Sequence, residues 1–167
     1  FSLVHPLPRC RRWRVGVCGG GMTPAAAGAA LERDLERFHA GLDGWAVYRQ
    51  HPRFRLIKGR WIPSQQGAPD FLAVPRVGSA VLFDAKATAK AEWHVSLLAA
   101  HQSAMLERHY RLGLRAGIYL RLATGDRWVP WEELGPVWFA WWEDKRARSL
   151  DGSAGREVVA CRWTEAL

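Results

Sequence analysis

Residues 67–88 read GAPDFLAVPRVGSAVLFDAKAT. Two apolar runs of strand length flank a segment from Pro75 to Gly78 with the composition of a turn, so the stretch predicts a β-hairpin. Its first arm carries Asp70 and its second the triplet Asp84-Ala85-Lys86. Side chains alternate faces along a strand, which puts Asp84 and Lys86 on one face and Phe83 and Ala85 on the other. Two carboxylates and an ammonium are therefore expected to meet at one point.

Ahead of the hairpin, Thr23 and Pro24 form a capping residue and first helical position, and Ala27, Leu31, Leu35, Phe38 and Leu42 follow at helical spacing. This predicts a helix that stops near Gly41 or Gly44. Glu32 lies beside its apolar stripe, directed either into a site or into water. A short strand is expected over WAVY, 45–48. Behind the hairpin, Leu98, Met105 and Leu112 at seven-residue intervals predict a helix over about 94–112. Gln102 falls on its buried side, where a polar amide needs a partner: backbone, a metal site or DNA. GIYLRLA at 117–123 predicts a strand, 126–134 a strand end with a turn near Pro130, and 158–163 a last strand. The aromatic run VWFAWW at 137–142 predicts a thick core edge or a subunit interface. Helix, strands, helix, strands is the order of a mixed α/β domain.

With 167 residues, 49% of them hydrophobic and 24% charged, the chain has globular composition and length for one self-sufficient core. Residues 1–21 lack any helical or strand period and end in three glycines, so they are expected to be a flexible leader, with Met22 a candidate start and 22–167 a single domain. No apolar run approaches the roughly 20 residues of a membrane helix, so a soluble protein with no membrane partner is expected. Cys10, Cys18 and Cys161 are odd in number and lack paired zinc-site spacing, which predicts reduced thiols and a cytoplasmic setting.

The formal charge is +8, from 24 basic and 16 acidic side chains. Four of the arginines lie in the acid-free first 21 residues, so the body is only moderately basic. This bias favours a polyanionic partner such as nucleic acid. In 49–67, Arg49, Arg53, Arg55, Lys58 and Arg60 interleave with Phe54, Ile57 and Trp61. That pattern suits phosphates and exposed bases, and equally suits an amphipathic hairpin with one solvated face. Lys90 is a further DNA-binding candidate just past the Asp-x-Lys arm.

Taken alone, Asp70 is as well explained as a turn or capping aspartate. A carboxylate pair on adjacent strands, however, suits a hard divalent cation, and Mg²⁺ keeps several waters when so bound. An ammonium on the same face can orient a nucleophile or offset charge on a phosphoryl transition state. The chemistry expected is metal-dependent phosphodiester hydrolysis.

Pro69-Asp70 followed by Asp84-Ala85-Lys86 resembles the PD-(D/E)XK nuclease pattern. Beyond those residues, Lys86, Thr88 and His101-Gln102 are similar to the lysine- and threonine-containing loop and His-Gln helix of RecU-type Holliday junction resolvases, as is the run 117–145. The segment from Gly28 to Glu32 is also similar to the Gly-x-x-x-Glu of archaeal junction resolvases, so the resemblance spans about 28–148. It implies a restriction-endonuclease-like α/β core: a central mixed sheet flanked by helices, with a short protruding basic segment at 52–66. It also implies a homodimer that uses Mg²⁺, or Mn²⁺, one or two ions per site, to nick four-way DNA in symmetric pairs, in a bacterium or its phage. By that resemblance Asp70, Asp84 and Gln102 are metal-site residues, Lys86 the catalytic lysine and Glu32 an acidic helper. Two positions depart from the pattern: Ala68 replaces an oxygen-bearing threonine, and Asp84 stands where Glu is usual.

Overall fold

The computed structural model describes residues 23–40, 44–50, 54–58, 60–63, 69–146 and 148–158. Helix α1 (Pro24–His39) starts where Thr23 Oγ1 accepts from the Ala26 N–H, with proline in the first turn. It is followed by β1 (Trp45–Arg49), β2 (Phe54–Ile57), β3 (Arg60–Pro63), β4 (Phe71–Pro75) and β5 (Val81–Ala87). The second half contributes β6 (Trp93–His94), α2 (Ala100–Arg111), β7 (Arg115–Leu122), β8 (Gly125–Pro130), α3 (Trp131–Asp144), β9 (Ser149–Leu150) and β10 (Arg156–Glu157).

Six strands form one mixed sheet in the order β1-β4-β5-β7-β8-β10, with β5 and β7 parallel and every other neighbouring pair antiparallel. The fold class is thus mixed α/β, a central sheet with helices on both faces. One face carries Phe71, Ala73, Val81, Phe83, Ala85 and Tyr119 against Leu31 and Leu35 of α1. The other carries Ile118, Leu120 and Val129 against Leu106 of α2 and Trp131, Leu134 and Trp138 of α3. Strand β5 lies inside the sheet with α1 and α2 packed on it, so its residues from Val81 to Ala85 are buried. Between β7 and β8 the approach is so close that a Cβ on Gly117 would sit 2.4 Å from the Val129 carbonyl oxygen. Strands β2 and β3 pair only with each other among the described residues, forming a separate hairpin.

Three expectations change. Helix α2 starts at Ala100 rather than near His94, because Trp93 and His94 pair with Leu150 and Ser149 and Val95–Leu97 form a single 3-10 turn. The seven-residue spacing therefore ran through residues that are not helical: Leu112 is 69% exposed, and the buried face of α2 is made by Ser103 and Leu106. The turn at Pro130 is the start of α3, which takes up the whole aromatic run; Glu132 and Glu133 in its first turn suit the positive end of the helix dipole. The last strand is Arg156–Glu157, ahead of the expected segment; Val158 follows it, buried, and 159–163 lie outside the described residues.

Candidate active site

Register brings the site together. The pairing of Phe71 with Phe83 carries Asp70, one residue ahead of β4, to the position opposite Asp84. Each carboxylate then accepts a backbone N–H from the other arm: Asp70 N–H donates to Asp84 Oδ1 at 3.1 Å, and Ala85 N–H to Asp70 Oδ2 at 2.9 Å. The Asp70 carbonyl oxygen accepts from the Gln50 N–H at 2.7 Å, fixing the end of the hairpin against β1. Asp84 is 0% exposed.

Alternation along β5 places Lys86 beside Asp84 and turns both toward α2, while Phe83 and Ala85 pack under α1. The Lys86 ammonium lies 2.9 Å from Asp84 Oδ2 and donates to Gln102 Oε1 at 3.1 Å. Despite that ion pair, Asp84 Oδ2 is buried and receives no hydrogen bond of acceptable direction. It has charge compensation without a directed donor. Gln102 Oε1 also accepts from the Ala99 N–H, at 3.2 Å.

Two carboxylates at such range repel. Burial first, and the Asp84 carboxylate second, push the Asp70 carboxyl up to about 7; the Ala85 N–H and Lys86 oppose them, and Glu32 adds to the rise. Glu32 is close enough to act on Asp70 but spends its own charge on Arg49, which also bonds Glu36 at 3.0 Å. Arg49 is thereby tied to α1 rather than presented to solvent as a bare cation.

The other basic candidates lie on other elements than the acid pair. Lys58 is exposed, at the turn between β2 and β3, with a left-handed backbone (φ 51°). Arg55 and Arg60 lie on those two strands, and Arg53 lies outside the described residues. Lys90 is exposed in the loop after β5; its N–H donates to Thr88 Oγ1, and its carbonyl oxygen takes the Ala123 N–H. Ala68 and residues 52, 53, 59 and 64–66 around these strands also lie outside the described residues.

The donor set fits a hard divalent cation. Asp84 Oδ2 is a buried anionic oxygen short of a donor, and the raised Asp70 carboxyl marks a pair that a cation between them would relieve. Among the described residues no three His, Cys, Asp or Glu side chains gather closely enough to hold an ion by themselves. Two carboxylates completed by water and substrate phosphate is the manner in which Mg²⁺ is commonly held.

Sequence reasoning did not find the two backbone N–H groups, Ala85 and Ala99, that fix Asp70 and Gln102. Backbone donors carry no residue signature; only the hairpin register and the true start of α2 reveal them. Fold and site together define an α/β domain with a buried aspartate and a lysine on its central strand and a half-buried aspartate opposite them. No protein-family model matches the chain, and no curated protein matches it in sequence. Among solved structures the chain is similar to Hjc, a Holliday junction resolvase from the archaeal hyperthermophile Archaeoglobus fulgidus. The two share 20% identity over 75% of this chain and 89% of that one, with a TM-score of 0.45.

Proposed function

We propose that this protein is a divalent-metal-dependent endonuclease that resolves four-way DNA junctions by paired nicks, acting as a homodimer in the cytoplasm of a bacterial cell or phage-infected host. The observation that carries the reading is the Asp70–Asp84–Lys86 cluster: two carboxylates locked to each other's strands, with an ammonium 2.9 Å from an oxygen that lacks a directed donor.

Asp70 and Asp84 would hold Mg²⁺, or Mn²⁺, one or two ions per site. The chemistry that such an ion would supply here is activation of a water and stabilisation of the leaving oxygen of a phosphodiester. Lys86 would place its charge where the attacked phosphoryl group gains negative charge. Glu32, clamped by Arg49, contributes negative field to the acid pair from α1. Arg53, Arg55, Lys58 and Arg60 of the β2–β3 segment, with Lys90, would track the phosphate backbone. Paired symmetric cuts need two sites related by a two-fold axis, and the exposed Phe139 and Trp142 on α3 offer apolar surface for a partner copy.

The test is cleavage of a labelled four-way junction beside a matched linear duplex, with Mg²⁺ and with EDTA. Paired nicks in the junction alone, only with Mg²⁺, are expected. Equal cutting of both substrates makes the protein a less selective nuclease of restriction or repair type. Binding without cutting makes it a DNA-binding recombination factor.

A further inference from the structure

We propose that Gln102 is a positioning residue that holds the Lys86 ammonium in place, and not a ligand of the cation. The inference rests on the nuclease reading above and assigns one residue of that site a different task from the one its sequence motif implies.

A lysine ammonium rides on a flexible four-carbon stem, so its position is set by what it touches. Lys86 Nζ touches Asp84 Oδ2 at 2.9 Å and Gln102 Oε1 at 3.1 Å. The atom facing Lys86 must be the amide oxygen, because the ammonium and the Ala99 N–H that converge on it are both donors. That oxygen is itself fixed. Gln102 is the third residue of α2 and reaches back 3.2 Å to the N–H of Ala99, the residue preceding the helix, while its own N–H donates to the Ala99 carbonyl oxygen at 3.0 Å. Alanine has no side-chain acceptor, so of the two reciprocal bonds of a capping box the one made by the third helical residue, Gln102 to the Ala99 N–H, is the one present.

A carbonyl oxygen has two lone pairs, and both are engaged here, one by the start of the helix and one by the lysine. Coordination of a cation by Gln102 would break one of them, releasing either α2's first turn or Lys86. The geometry thus links the beginning of α2 to the ammonium, with the acid pair left to take the cation.

The experiment uses wild type, Gln102→Ala, Gln102→Glu, Lys86→Ala and Asp84→Asn. Mn²⁺ affinity is measured by calorimetry without DNA, and single-turnover junction cleavage is measured at saturating Mn²⁺. Gln102→Ala is expected to keep its Mn²⁺ Kd within about twofold while the cleavage rate falls by roughly 10- to 100-fold, the size seen for residues that orient a reactive group. Gln102→Glu, which keeps an acceptor at the same reach, is expected to recover most of that rate. A Kd weakened tenfold or more in Gln102→Ala would make Gln102 a ligand, and an unchanged rate would show that Lys86 does not depend on it; either overturns the proposal. Should Gln102→Ala fail to fold by circular dichroism, Gln102→Glu decides alone: a rate as low as that of Lys86→Ala overturns it. Failure of the nuclease reading looks different, namely wild type that neither binds Mn²⁺ nor cuts, or Asp84→Asn that binds Mn²⁺ as tightly as wild type.

Discussion

Two buried aspartates in this sheet carry the same charge and are treated in opposite ways. Asp126, 7% exposed on β8, is fully supplied with donors. Tyr119 donates its hydroxyl at 2.6 Å, and Arg121 gives two N–H groups at 2.9 and 3.0 Å. Arg121 continues to Asp34 of α1 at 2.8 Å, so the cluster ties α1 to the sheet. The Tyr119 phenol is held well above its ordinary value by burial and then by the Asp126 charge, and stays a neutral donor. Asp84, more deeply buried, has one backbone donor on Oδ1 and only an ill-directed ammonium on Oδ2. Leaving a buried anionic oxygen short of hydrogen bonds costs stability. On the proposed function, the difference separates a carboxylate that holds the fold together from one that would take a cation.

Breaking the Asp84 side gives the largest effect. Asp84→Asn is expected to lower junction cleavage by about a thousandfold or more, equivalent to about 4 kcal/mol of transition-state stabilisation. Junction binding in a gel-shift assay should change little, because the basic surface remains. Wild-type cutting by this variant would remove Asp84 from the site.

Breaking the Asp126 side should act on stability instead. Asp126→Ala leaves the Arg121 guanidinium, which is 20% exposed, with Asp34 as its remaining carboxylate and takes the acceptor from the Tyr119 hydroxyl, and is expected to cost about 1–3 kcal/mol in denaturant unfolding. Its cleavage rate per folded molecule should stay near wild type. A stable Asp126→Ala protein with lost activity would reverse the roles assigned to the two aspartates.

Asp70 sharpens the comparison through pH. Its folded carboxyl titrates near 7 against 3.8 for the free side chain, so between about pH 4 and 7 the folded state binds more protons than the unfolded one. Stability contributed by Asp70 is therefore present at low pH and is lost as pH rises through that window. Without metal, Asp70→Asn should flatten this fall and melt higher than wild type at pH 8. Parallel melting profiles for the two proteins across the window would show that the acid pair is not under repulsion. The smallest expected effect lies away from both aspartates: Lys58→Ala should reduce the slope of log binding constant against log salt by about 0.9, the value of one phosphate contact. An unchanged slope returns the β2–β3 segment to a solvated face.

Much of this site could be read in the sequence, because strand alternation and hairpin register follow from local pattern. The Asp-x-Lys spacing alone placed Asp84 and Lys86 on one face, and the turn from Pro75 to Gly78 set Asp70 opposite. What the sequence concealed depends on packing. VWFAWW reads as a core edge or a subunit interface, and Trp138 does bury in the core. Its secondary structure is not legible: with Trp131 and Leu134 ahead of the run it forms one face of a helix against the sheet, which tertiary contact decides. The start of α2 was hidden because Trp93 and His94 are drawn into pairing with β9, some 55 residues distant. The Asp126 cluster was overlooked although its signal is local: Arg121 and Asp126 stand directly opposite across the β7–β8 turn, an opposite-charge cross-strand pair.

The central claim is that the open oxygen of Asp84 belongs to a cation site shared with Asp70. Thermal denaturation of wild type and Asp84→Asn, each with EDTA and with excess Mn²⁺, tests it directly, since an ion that binds only the folded state raises the melting temperature. Mn²⁺ should raise the melting temperature of wild type and leave that of Asp84→Asn unchanged. An equal rise in both proteins, or none in wild type, would contradict the account.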